Sequence, residues 1–330
     1  MMTVKIKDIA VYHPKNKVDN EYYIEHFKNT KGEDHTRFIT DVLGRQSRYI
    51  IDNDSENSVT MAIEASKRVL NKADFQADDL DMIIFSSQVP EYTFPSNAVM
   101  VHEGIKAGTK TGVFDMNANC TGMTIALDQA SRYLLSNPHM TRILLVGSDY
   151  TSLIADPEDS LTYPNFGDAA CAVILEKTNE EQGFIDSIYY TDTWIVDKVT
   201  FPRSGLSNKL KGYDDSNYLQ WLPFDGAAAL PKAYNIIDEM LARNHMKIED
   251  IDAFCLSQFS LSFLESFQEN YQMDKEKLIY AGDKFGYTGT TSPLIAFHEG
   301  IQNGNIKRGD TILFWTVGVG YNLIAVLFTY

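Results

Sequence analysis

Cysteine is scarce in this sequence, long apolar runs are missing, and positive charge is in deficit. Only three cysteines occur in 330 residues, at 120, 171 and 255. No pair has C-x-x-C spacing, which argues against a disulfide framework or a cysteine zinc site and points to a reducing compartment, the cytoplasm. No run of 18 or more apolar residues is present, so no transmembrane helix is expected. The N-terminal MMTVKIKDIAVYHP alternates like a strand and lacks the basic head and apolar middle of a secretory leader. The net charge of −16 argues against a nucleic-acid or anionic-membrane surface. What remains, 44% hydrophobic and 22% charged residues, suits an ordinary globular protein. The length allows one large α/β unit or two domains with ample core.

Strand-like and helix-like segments alternate along the chain. DMIIFSS (81–87), TGVFDMN (111–117), RILLVGS (142–148) and AACAVILE (169–176) are short runs rich in Val, Ile and Leu, as expected of strands covered on both faces. SVTMAIEASKRVL (58–70) and TGMTIALDQASRYLL (121–135) carry apolar residues at helical spacing. The stretch 148–168 reads as a long loop. The stretch 198–226, rich in Gly, Ser, Asp and Lys, reads as an exposed excursion.

A weak internal repeat runs through this pattern. DDLDMIIFSSQ (78–88) is similar to EDIDAFCLSQF (249–259), and each is followed by a strand, a turn of small residues, a helix and another strand. Two related halves sharing one core are expected, 1–180 and 181–330. The repeat puts Cys120 and the segment Tyr287–Thr291 at equivalent helix starts. Helix N-termini meeting at one cleft suit an anion or a developing oxyanion. A cysteine in the first turn of a helix is also expected to favour the thiolate, the nucleophilic form.

Seven segments in the same order, EYTFPSNA (91–98), FDMNANCTGM (114–123), FGDAACAVILE (166–176), IEDIDAFCLSQFS (248–260), FGYTGTTSPLIAFHEG (285–300), IKRGDTILF (306–314) and VGVGYN (317–322), are similar to those of the ketoacyl-acyl-carrier-protein synthase III group of condensing enzymes. The resemblance implies an α/β, thiolase-like five-layered αβαβα fold and a homodimer. It implies that Cys120 takes an acyl group from a thioester of coenzyme A or of an acyl carrier protein, with no metal or resident cofactor. It places an oxyanion hole at the backbone N–H groups of Cys120 and Val319. Phe94 matches a residue that reaches across the dimer into the partner's acyl pocket.

Departures from the family pattern carry the functional expectation. The family's catalytic histidine opens a His-Gln-Ala-Asn motif; here the stretch reads SQFS, with Ser257 first. Its asparagine lies in Tyr-Gly-Asn-Thr-Ser; here the stretch reads FGYTG, with Tyr287 in that position. Both replacements keep a hydroxyl donor, and neither changes charge near neutral pH as imidazole does. The Trp and Arg that sandwich the adenine of coenzyme A become Phe38 and Val42. The helix that normally meets the carrier protein with basic residues reads SLSFLESFQENYQMD, without Lys or Arg. No histidine of this chain stands where it could substitute. The expectation is a ketoacyl synthase III-like acyltransferase acting through Cys120 without efficient malonyl decarboxylation. A conventional fatty-acid-initiating synthase and a non-catalytic scaffold subunit of a larger acyltransferase are the alternatives.

Overall fold

The computed structural model describes residues 2–330. Its first sheet contains β1 (Thr3–Tyr12), β2 (Met82–Ser86), β3 (Gly112–Met116), β4 (Arg142–Asp149) and β5 (Ala169–Thr178), in the order β1-β5-β4-β2-β3. The second contains β6 (Phe184–Thr191), β7 (Ala253–Leu256), β8 (Thr311–Gly318) and β9 (Asn322–Thr329), in the order β6-β9-β8-β7. In both sheets the first two neighbouring pairs are antiparallel and the next pair is parallel. One topology is therefore used twice. The first sheet adds β3, parallel to β2, and in the second sheet only a single bridge between Phe254 and Leu278 stands in its place.

The helices follow from capping and apolar spacing. In α1 (Ser58–Ala73), Asn57 and Thr60 form a reciprocal capping box, and Met61, Ala62, Ala65, Val69 and Leu70 make one buried face. With α2 (Asn97–Ile105) it covers the outer face of the first sheet. In α3 (Gly122–Ser136), Met123, Ala126, Leu127, Ala130 and Leu134 recur every three or four residues. This helix and α6 (Ser292–Gln302), which has Pro293 in its first turn, lie between the two sheets. α4 (Ala229–Arg243) and α5 (Leu261–Tyr271) cover the outer face of the second sheet through Ile237, Met240 and Phe267.

The result is five layers, helix, sheet, helix, sheet, helix. β4 and β5 are buried along most of their length, which is why they read as nearly continuous apolar runs. Each fully buried Leu, Ile or Phe there contributes about 1.5–3 kcal/mol. β3 departs from the expectation of cover on both faces. It is the free edge of the first sheet, and Gly112 and Asp115 are exposed.

The excursion 198–226 is also not what its composition suggests. Val199–Thr200 pairs antiparallel with Gln220–Trp221, and a short helix, Leu206–Leu210, lies between them. Leu219 N donates to Ile154 O at 2.9 Å, and the Trp221 ring stacks on Phe259 at 5.3 Å. Apolar residues scattered among polar ones hold this segment as a roof over a cavity, while its tip, including Leu210 and Tyr213, stays exposed.

Candidate active site

Cys120 occupies a short 3-10 turn, Asn119–Thr121, that runs directly into α3. Asn119 takes a left-handed φ of 55°, and its Nδ2 donates to Val319 O at 3.3 Å, which ties the end of β8 to the nucleophile turn. The pseudo-equivalent turn, Gly289–Thr291, leads into α6. Thr290 Oγ1 accepts from Met123 N at 2.7 Å, so the two helix starts are joined by a side chain, as the repeat implies.

A cavity of about 1030 Å³ opens from these turns to the surface. Cys120, Ser257, Tyr287 and Val319, separated by up to 199 positions in the chain, all line it. Arg203, at the roof, is the one charged residue among the lining side chains, and no described histidine lines the cavity. Phe38 does not reach it. Phe38 is half-buried at the start of a π-helical turn, Phe38–Val42. Phe94 does not reach its own chain's cavity either, and its ring is 84% exposed.

The expected thiolate is not found. Burial pushes the Cys120 thiol up to about 11; the Tyr287 hydroxyl and the N–H groups of Cys120 and Val319 pull the other way and do not prevail. Desolvation disfavours the charged form more than one short turn of helix favours it. Cys171 and Cys255 lie in the central core, and burial raises both thiols with no compensating donor.

Tyr287 is fixed by its backbone and its neighbours. Its N–H donates to Asn165 O at 2.7 Å, and Gly167 N donates to its carbonyl at 3.0 Å. Its ring meets Phe259 edge-on at 5.1 Å and lies 6.1 Å from Phe166. Burial and the neighbouring Cys120 raise its phenol well above the usual range, so it remains a neutral donor. Ser257 sits beside it; its Oγ is buried and has no hydrogen-bond partner of its own.

Two functional features were not flagged by the sequence. Arg45, fully buried, donates to Asn165 Oδ1 (2.8 Å), Tyr280 OH (2.9 Å), Gln258 O (2.6 Å) and Phe259 O (2.7 Å), clamping the loops that carry Ser257 and Phe166. Gln88 lines the cavity, and its Oε1 accepts from Cys120 Sγ at 3.5 Å. The internal repeat held a signal for Gln88, since it equates the loop after β2 with the loop after β7, where Ser257 lies.

Residues 114–193 match the family model described as 3-oxoacyl-[acyl-carrier-protein] synthase III, and residues 241–330 match the model of its C-terminal part. The beta-ketoacyl-[acyl-carrier-protein] synthase III of Clostridium perfringens is 32% identical, with 99% of each chain covered. That of Coxiella burnetii is 30% identical, with 97% of each covered. The chain belongs to the 3-oxoacyl-[acyl-carrier-protein] synthase III family. A solved structure of a synthase III from Aquifex aeolicus superposes with a TM-score of 0.86 at 27% identity, covering 99% of this chain and all of that one. As a synthase III family member the protein is an enzyme of the acyltransferase class with the thiolase-like fold.

Proposed function

We propose that this synthase III family member loads an acyl group onto Cys120 Sγ from a thioester of coenzyme A or an acyl carrier protein, and passes it to an acceptor other than a decarboxylating malonyl thioester. One observation carries this reading: the cavity that holds Cys120 is lined at the nucleophile by Ser257, Tyr287 and Val319, with no imidazole among the described residues. In the loading step the Sγ–C bond forms, the donor's C–S bond breaks, and the Cys120 proton ends on the departing thiol. No oxidant, metal or other reactant is needed. The N–H groups of Cys120 and Val319 face the carbonyl oxygen as it gains charge, and the Tyr287 phenol is placed to hydrogen-bond a sulfur.

Malonyl condensation asks for more, because an enolate must be stabilised as carbon dioxide leaves. One oriented donor is commonly worth about 10²–10³ in rate. Ser257 and Tyr287 would supply that stabilisation poorly, being neutral hydroxyls where the family pattern has histidine and asparagine. The activity named for the Clostridium and Coxiella relatives favours a second reading, conventional chain initiation. Assay with acyl-CoA and malonyl-carrier protein separates the two. Little or no ketoacyl product from the native chain, with product rising in the double variant Ser257→His, Tyr287→Asn, is expected. Robust condensation by the native chain would establish the second reading. An intact Cys120 that takes no acyl group from any donor would favour the scaffold role.

A further inference from the structure

Gln88 is placed at the nucleophile by three fixed points. Its backbone N–H donates to Asp149 Oδ1 at 2.8 Å, which anchors the residue at the end of β2. Its Oε1 accepts from Cys120 Sγ. Its Nε2 lies against Gly289, on the same side as Asp149 Oδ2, and a Cβ at position 289 would overlap both atoms. Gly289 also takes a φ of +63°. A residue with a side chain would be strained there as well as obstructive.

Asp149 is wholly buried and receives only donors. Its Oδ1 accepts from Ser87 Oγ (2.9 Å), Gln88 N (2.8 Å) and Val89 N (3.3 Å), and its Oδ2 from Thr290 N (2.8 Å). Burial raises its pKa overall, against the pull of these four donors. The carboxamide presents its carbonyl oxygen to the sulfur. We infer that Gln88 holds the resting nucleophile as a neutral, oriented thiol by accepting its proton's hydrogen bond, with Asp149 anchoring the Gln88 backbone. A carboxamide oxygen accepts the hydrogen bond but is too weak a base to take up the proton. The proton therefore stays on Cys120 until a thioester is bound and its departing sulfur can receive it.

The other groups facing the sulfur do not supply this function. Tyr287 and the N–H groups of Cys120 and Val319 are donors toward it, Ser257 lies beside Tyr287, and Arg203 is the one charged residue lining the cavity. The raised pKa of Cys120, to which Asp149 contributes, agrees in direction. Gln88 has this role whether or not the acyl-transfer reading is correct, so its test uses no acyl donor.

The test is alkylation of Cys120 by iodoacetamide from pH 7 to at least one unit above the thiol's midpoint, followed by peptide mass, together with the infrared S–H stretching band isolated by subtracting the spectrum of Cys120→Ala. Gln88→Met keeps the side-chain volume and removes the acceptor. A neutral hydrogen bond of this kind is worth about a two- to tenfold ratio. Labelling of Gln88→Met at pH 8 should be faster by that factor, the difference should vanish above the thiol's midpoint, and the S–H band should move to higher frequency. Gln88→Glu, which sets a carboxylate against the sulfur, should label at least tenfold more slowly than the native chain at pH 8. A rate and S–H band unchanged in folded Gln88→Met would overturn the inference, as would a rate increase that persists above the midpoint, which would mean improved access only. If Gln88→Met does not fold, Gln88→Asn, one methylene too short to reach the sulfur, takes its place with the same expected and overturning results.

Discussion

At Cys120 two effects act on one sulfur atom. The helix start and the N–H groups of Cys120 and Val319 favour a thiolate, while burial to 7% exposure removes the water that would solvate it. Burial prevails, and the thiol is raised to about 11. A group raised in this direction is protonated at neutral pH, so alkylation should climb about tenfold per pH unit up to that midpoint. Cys120 should still react first, because it lines a cavity open to solvent, whereas Cys171 and Cys255 are sealed in the central core. Peptide mapping after limited alkylation checks this; earlier labelling of either core cysteine would contradict it. The position of Cys120 was legible because a small polar turn before a helical run is a local pattern. Its protonation state was not, because desolvation depends on what the distant segments 257–260, 285–291 and 317–321 bring around it. Gln88 escaped notice for a related reason. A glutamine in a loop carries no local chemical signal until the fold sets it against a nucleophile.

At the scale of elements, the loops that form the site are held by buried Arg45 without a carboxylate partner. Its guanidinium instead satisfies four neutral oxygens from three separate loops. Desolvation accordingly lowers its pKa. Arg45→Met leaves those acceptors unsatisfied in the interior and should cost about 3–5 kcal/mol in urea unfolding. Arg45→Lys should restore little of it, since one ammonium cannot reproduce the planar fork. A change below about 1 kcal/mol for either variant would mean that the loops do not depend on this clamp. The roof over the cavity is a second element-scale feature. Trp221 lies between Phe224 at 5.9 Å and Phe259 at 5.3 Å, and Phe259 in turn meets Tyr287. Trp221→Ala should raise the apparent KM for the acyl thioester several-fold with a smaller effect on single-turnover acylation of the bound complex. An unchanged KM would detach the roof from substrate binding. Strands of the first half were readable because buried strands are continuous Val, Ile and Leu runs. The roof was not, since its apolar residues are interspersed with Gly, Ser, Asp and Lys and acquire meaning only through contacts with Ile154 and Phe259.

At the scale of the whole molecule, the repeated topology was visible in the sequence as two similar strand-end segments, 78–88 and 249–259, and it determines where the site forms. What does not repeat is β3, whose free edge and exposed Gly112 and Asp115 lie on the same side of the fold as α2 and the 84%-exposed Phe94. A two-fold pair joined through β3 would continue the sheet across both chains and let Phe94 enter the partner's cavity. Sedimentation at micromolar concentration should give twice the 37.3 kDa chain mass, and Phe94→Ser should leave the dimer intact while altering the preferred acyl length. A monomer would remove that role for Phe94.

The proposed function depends on Cys120 accepting an acyl group without an imidazole beside it. Intact-protein mass after incubation with a panel of acyl-CoA donors of increasing chain length decides this. The expected result is a mass increase equal to one acyl group, located on Cys120, absent in Cys120→Ala and reversed by hydroxylamine. No adduct with any donor in the panel, or an adduct that persists in Cys120→Ala, would refute it.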